Sequence, residues 1–574
     1  MVTAIPSIFG RPFCLDGTET GFLPVFQFSQ TRSSRTDTLL HGQMQLIFPS
    51  TIIRNKSMKP IPVSAILSCL LKVLTMALLA FAPVAADAQE NMAPPEEQVL
   101  RLVTVNMPRS LDPTNIDAQR LIDNGFAEPL VYESFDGTAL TEGLAIGWEL
   151  VKPALWRIEL QPDAVFWSGA AVDAEAVAAS LRRHQEKNPR ARSALQDVVF
   201  TPVGKTTLEV RTPTEDPAFL YKTTTLAIEN VAIIDELGNK YATTGDMSGY
   251  FRPVEFVPGE LIAGEPFENY HGKPPLLKRI EARFVVDPQT RYLAMKSGEA
   301  DMDGNVQFEQ LRLYQRSKDY TIAELPRSTW NIWLNYKNPL LKDLKMRQAL
   351  SFGVDRNEIV NSIMAPFAVM PTGHFPAGLP YAIDRSQVSD ADKAKSLLDE
   401  MGWVPGADGI REKGGKRLEF DLLTYGWWNT IAVAIESQMR EIGVALSLKV
   451  VEPAASNQIM LDGAFDIATY CSCPKPTGDL HGALHQWYHS ESVRNWQHYS
   501  NAEVDSLLDK LRNEADQEIR FDLTRKIQDI VFDDTALLWV SNTAVLSVAF
   551  AADVRGVDPE RPRDITPGMY IATE

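Results

Sequence analysis

Between residues 418 and 470 strand-like and helix-like segments alternate, and a chain written this way has few folds open to it. Residues 418–423 (LEFDLL) read as a strand, 431–442 as a helix stopped by Gly443, 444–450 as a second strand and 465–470 as a third. Strand, helix, strand in succession implies a parallel α/β lobe. Just before it, Asp390 caps a helix with apolar Ala391, Ala394, Leu397, Leu398 and Met401, closed by Gly402. The earlier chain is richer in short strands. Residues 155–160 alternate apolar and polar, Gln161-Pro162-Asp163 breaks the run, and Asp173 caps a helix striped by Ala176, Val177 and Leu181.

Residues 58–88 have the form of a cleaved export signal: Lys59 and Lys72, an apolar core over 73–81, and Ala86-Asp87-Ala88 before a new N-terminus at Gln89. The uninterrupted apolar part is shorter than the roughly 20 residues of a spanning helix, so cleavage is expected rather than an anchor. Cys69 precedes the main apolar core, which argues against a lipid-attachment site. Residues 1–57 are read as an upstream extension that is not native, with Met58 the true start, and 89–98 as a flexible tether. The whole chain carries 56 Lys+Arg against 74 Asp+Glu. So acidic a surface repels phosphate backbones, and nucleic acid is not expected as a partner. Beyond the leader only Cys471 and Cys473 are cysteines, so this is no disulfide scaffold. A bridge between them would be strained and easily reduced.

Several motifs occur in a fixed order: Leu111-Asp112-Pro113, EPLVYE from Glu128, LAIGW from Leu144, LWRIELQPDAVFWSGAAVDAEAVAASLRR from Leu155, MKSGEADM from Met295, LKMRQALSFGVDRNEIV from Leu344, DADKAKSLLDEMGW from Asp390 and HYSNAEVDSLLDKL from His498. Together they resemble the family 5 solute-binding proteins of ABC importers, the group with oligopeptide-, dipeptide- and nickel-binding members. The resemblance implies an α/β, bilobal periplasmic binding protein fold with an additional smaller α/β domain. Lobe I would take 99–140, 226–329 and 536–574, the extra domain 141–225, and lobe II 330–535. It also implies a monomer without enzymatic activity or cofactor, which closes on its solute and delivers it to two membrane permease subunits. Separate ATPases would drive the transport, and this chain has no Walker-type glycine loop.

Ligands of parallel sheets lie beyond the carboxyl ends of the strands. Tyr425, Trp427 and Trp428 follow one such end and Cys471-Ser472-Cys473-Pro474 another, so both loops are expected at one crevice. In peptide-binding members the second loop commonly carries an aspartate for the ligand's amino terminus. Here that position falls on Ser472 or Cys473, neither of which supplies a fixed negative charge, and this puts ordinary free peptides in doubt. Arg120 and Arg494 are candidates for meeting a carboxylate, with surface ion pairing the alternative for each. His481, His485 and His489 share one helical face behind the cysteine pair, and with Cys471 and Cys473 they form a possible thiolate–imidazole metal set. A solvated polar face would give the same spacing.

The expected function is therefore periplasmic capture of a small peptide or peptide-like solute, clamped by aromatic side chains as the lobes hinge about 330–335 and 539–541. Two alternatives remain at this point. One is capture of a metal chelate through the Cys/His segment. The other is a secreted metal-dependent hydrolase using the same histidines, against which stands the lack of a general-base glutamate in a recognised spacing.

Overall fold

Three sheets organise the chain. In the computed structural model residues 91–573 are described, apart from 116–118, 190, 325–326, 366–367, 472–476 and 545–546. The predicted leader and upstream extension lie outside them.

The first sheet has seven strands in the order Tyr320–Glu324, Ser547–Ala551, Met302–Val306, Val99–Thr104, Arg279–Phe284, Leu261–Pro266, Phe251–Val257. Val99–Thr104 runs parallel to both of its neighbours, and the outer strands are antiparallel. This is lobe I. The second sheet is antiparallel, with four strands: Ala145–Lys152, Leu155–Leu160, Thr207–Arg211 and Val199–Pro202. It packs under the helix Ala174–Lys187, whose first turn is capped by Asp173 accepting from the Ala176 amide. This is the extra domain. Arg183, on that helix, reaches back to lobe I and bonds Asp112 (2.8 and 2.6 Å) and Glu229 (2.6 Å), so the opening Leu111-Asp112-Pro113 is fastened to the extra domain by charge.

The third sheet is lobe II, ordered Ala368–Val369, Leu537–Ala544, Arg327–Leu334, Ile467–Cys471, Glu419–Tyr425, Ala445–Val451. Glu419–Tyr425 is parallel to both of its neighbours, as the strand–helix–strand pattern implies. The helix between them, Asn429–Glu441, ends near Gly443, which takes a left-handed φ of 84°. Asp390 caps Ala391–Glu400 by accepting from the Lys393 amide.

Four expectations change. The lobe II sheet is mixed rather than wholly parallel, because Arg327–Leu334 and Leu537–Ala544 enter it antiparallel. The segment expected to open the last piece of lobe I at 536 therefore first completes lobe II, and lobe I resumes at Ser547. Residues 330–335 and 539–541, expected as hinges, lie largely in the middle of that sheet, where backbone pairing holds them. Residues 325–326 and 545–546, which adjoin these two strands in sequence, lie outside the described residues. Finally, the tether is docked over 91–98. Ala93 N–H donates to the Ile571 carbonyl at 2.9 Å, and the buried Gln98 amide bonds the Ala93 and Ile571 carbonyls at 2.8 Å, so its polar groups are satisfied by the chain's C-terminal end.

Gly249 marks a close approach that only a missing side chain permits. A Cβ there would lie 2.1 Å from the Phe126 carbonyl carbon and 2.4 Å from the Gly125 oxygen. Gly249→Ala is expected to cost about 1–3 kcal/mol, as overpacking does, read as a lower midpoint in thermal or urea unfolding. An unchanged midpoint would contradict that packing.

Candidate functional site

The carboxyl ends of Glu419–Tyr425 and Ile467–Cys471 place Tyr425 and Tyr470 at one edge of lobe II, both half-buried. Burial pushes the Tyr425 hydroxyl up to about 12, with Tyr470 adding to the shift. The Tyr470 hydroxyl is also raised by burial, and neighbouring Arg494 acts against the rise. Behind Tyr470 stand Trp333 at 5.4 Å and Trp496 at 5.5 Å between ring centroids. The exposed Arg494 guanidinium lies 4.9 Å over the Trp487 ring, a cation–π contact that holds the charge beside the tyrosine. Tyr425, Tyr470 and Arg494 thus form an aromatic wall with one cation set in it.

The other residues expected at the site fare differently. Trp428 is completely buried in the lobe II core, its ring 4.4 Å from that of Trp330, so it does not stand on the crevice wall. The reason is local. Gly426–Trp428 forms a 3-10 turn leading directly into Asn429–Glu441, and the large indole packs where that helix meets the sheet. Trp427 lies in the same turn. Ser472 and Cys473 are outside the described residues, and Cys471 closes the strand Ile467–Cys471. Arg120 is committed to an ion pair with Asp123, one helical turn away.

His481, His485 and His489 do stack along Leu480–Tyr488 and its C-cap, with ring centroids 4.8 and 4.6 Å apart. Among the described residues, however, no three His, Cys, Asp or Glu side chains form a group able to hold a metal ion. Burial pulls His481 down to about 3, with His485 and Lys222 adding to the shift. The set is therefore a partly buried ladder of stacked rings rather than the solvated face that the spacing also allowed.

Lobe I contributes a cavity of about 170 Å³ that sequence reasoning missed. It lies between the short helix Gln119–Asp123, the strand Val131–Glu133 with the two residues after it, and a loop holding Arg561, Arg563 and Asp564. Arg561 sits 4.2 Å over the Tyr132 ring, and Arg563 is 3.9 Å from Asp123. Burial and nearby Asp123 push the Asp564 carboxyl up. Next to the cavity, burial pushes Glu128 up to about 8 while it accepts from the Tyr270 hydroxyl at 2.9 Å. The only sequence signal was the pair of arginines in Arg561-Pro562-Arg563, far along the chain from their partners.

Two lobes, each built on its own large sheet, and a small antiparallel domain make up the described chain. The sequence profile of the bacterial extracellular solute-binding proteins, family 5 (middle part), matches residues 139–495. The chain belongs to this family. It is 24% identical over 469 residues to the probable D,D-dipeptide-binding periplasmic protein DdpA of Escherichia coli K12, covering 75% of this chain and 87% of that one. It is 26% identical over 382 residues to the nickel-binding periplasmic protein of the same organism, covering 62% and 71%. The structure of NikA from Brucella suis in complex with Fe(III)-EDTA superimposes with a TM-score of 0.73 at 21% identity, over 82% of this chain and 99% of that one.

As a family 5 protein, the chain is a non-enzymatic solute-binding component of an ABC transporter, acting outside the cytoplasm or in the periplasm. The hydrolase alternative falls with that membership. Among the described residues no helix is long and apolar enough to cross a membrane.

Two predictions follow from the burial seen here. Trp428→Ala is expected to lower stability by about 3–5 kcal/mol, the cost of a large core cavity, read by urea denaturation; a stable variant would mean the indole is not core. His374 is fully buried beside the Tyr488 hydroxyl (2.8 Å), and burial pulls it to about 3. The unfolded chain takes up its proton near 6.5 and the folded protein does not, so this contribution is present above about 6.5 and is lost as pH falls toward about 3. The slope is about 1.4 kcal/mol per pH unit for this group. Urea denaturation from pH 7 to 5 should show a steeper loss in the wild type than in His374→Phe, and equal slopes would contradict it.

Proposed function

We propose that this family 5 protein captures a small peptide or peptide-like solute bearing a carboxylate and delivers it to two permease subunits served by separate ATPases. The observation that carries this reading is Arg494. Its guanidinium is exposed, held over Trp487 and set beside Tyr470 at the end of a lobe II strand. A planar cation fixed in this way suits a carboxylate, and the tyrosines suit the apolar parts of a peptide-like molecule. The D,D-dipeptide-binding name of one relative adds support. The protein works as a monomer in the periplasm after removal of a signal peptide over 58–88.

A metal chelate is the second reading, favoured by the nickel-binding relative and by a structural neighbour holding Fe(III)-EDTA. A chelate carrying free carboxylates would also suit Arg494, without needing the histidine ladder as ligands.

Calorimetric titration of the ligand-stripped protein with di- and tripeptides, their C-terminal amides and nickel–histidine tests both readings. Free-carboxylate peptides should bind, and Arg494→Ala should weaken them roughly ten- to a hundred-fold, the range of a lost hydrogen bond to a charged group. Amides should be indifferent to the substitution. Tight nickel–histidine binding with no peptide binding would overturn the first reading in favour of the second.

A further inference from the structure

The antiparallel hairpin of Val131–Glu133 and Leu140–Glu142 is one place where lobe II touches the rest of the protein. Asp136 shapes its turn: one carboxylate oxygen accepts from the Ser134 hydroxyl (2.8 Å), the Thr138 amide (3.0 Å) and the Thr138 hydroxyl (2.7 Å). Lobe I supports the hairpin from behind through the Phe135 amide, which donates to Glu560 at 3.0 Å.

Three bonds arrive from lobe II. Gly478 N–H donates to a Glu133 carboxylate oxygen at 2.9 Å. The Tyr381 hydroxyl donates to the Asp136 carbonyl at 3.1 Å while accepting from the Thr477 amide at 3.1 Å. The Gln517 side chain donates to the Thr138 carbonyl at 2.9 Å.

Gly478 is gripped from both bodies. Its amide goes to Glu133 across the divide, and its carbonyl accepts from Arg520 of lobe II at 2.6 Å. Its φ lies outside the left-handed region, so glycine is not needed here for backbone freedom. It is needed for space: a Cβ would lie 2.1 Å from Cζ of Tyr221, which the extra domain presents at this point. A bare backbone seated on an aromatic ring, flanked by three bonds that cross between bodies, forms only when lobe II has come down on the hairpin.

We propose that Gly478, Glu133 and Tyr221 form a latch that sets the closed state, and so act as positioning residues for solute capture. The inference rests on the family role and not on the identity of the solute. The polar bonds fix the direction of approach, and the glycine–tyrosine contact fixes how near the lobe comes.

The test is single-molecule energy transfer on the full chain, purified with its captured solute, with dyes at the exposed Val203 of the extra domain and Val433 of lobe II. Gly478→Ala should lower the ratio of closed to open molecules about ten-fold, a modest shift for a two-state equilibrium. Glu133→Gln should lower it less. The double variant Gly478→Ala with Tyr221→Gly, which restores room for the methyl group, should recover most of the closed population. Unchanged thermal unfolding in each variant separates a lost latch from a lost fold. A Gly478→Ala protein that closes like the wild type, or a double variant as open as Gly478→Ala alone, would overturn the proposal.

Discussion

Lobe II depends on one pairing between strands far apart in the chain. Arg327–Leu334 arrives from lobe I and Leu537–Ala544 is about to return to it, and the two lie antiparallel near the middle of the six-stranded sheet. Trp330 and Trp333 on one strand and Trp539 on the other are completely buried, so the pairing is sealed by large aromatic surface on both faces. Everything between these strands in sequence is built onto them. The strand ending at Cys471 adds on one side, and the parallel pair that carries Tyr425 follows. Both crossings to lobe I issue from adjacent strands, and Cys471, the end of the strand that leads toward Gly478, pairs with Trp330 near the same end.

Charge is used in two ways. Within the bodies, buried arginines act as struts. Arg291 bonds Asp303 and three backbone carbonyls in lobe I, and Arg356 in lobe II bonds backbone carbonyls and the Gln387 and Ser351 side chains. Such groups hold a fold to one arrangement because leaving any of them unpaired would be costly. Beside Tyr470, by contrast, Arg494 keeps its charge exposed and rests on the aromatic face of Trp487. The first kind of arginine is spent on structure; the second is the one we propose meets the solute.

Much of the local structure was legible because local physics decides it. Asp173 and Asp390 cap their helices, and Gly443 ends one by taking the left-handed conformation. The parallel core of lobe II was legible from strand–helix–strand alternation. What escaped depends on pairing at long range. No periodicity marks Leu537–Ala544 as a lobe II strand, and nothing in residues 91–98 signals that Gln98 will bond the far end of the chain. Of the residues expected at the site, Tyr425 and Arg494 are both brought beside Tyr470. Trp428 misled because an aromatic residue after a strand reads the same whether it faces a crevice or the core, and Arg561 and Arg563 meet Tyr132 and Asp123 only through the fold.

The central claim is that the chain holds an organic, carboxylate-bearing solute between its lobes. Native mass spectrometry of the protein isolated gently from the periplasm, with metal analysis of the same sample, tests it most directly. The account predicts one organic molecule per chain, released on denaturation, with a free carboxyl group and no stoichiometric metal. A metal ion bound one to one, alone or within a chelate, would contradict it.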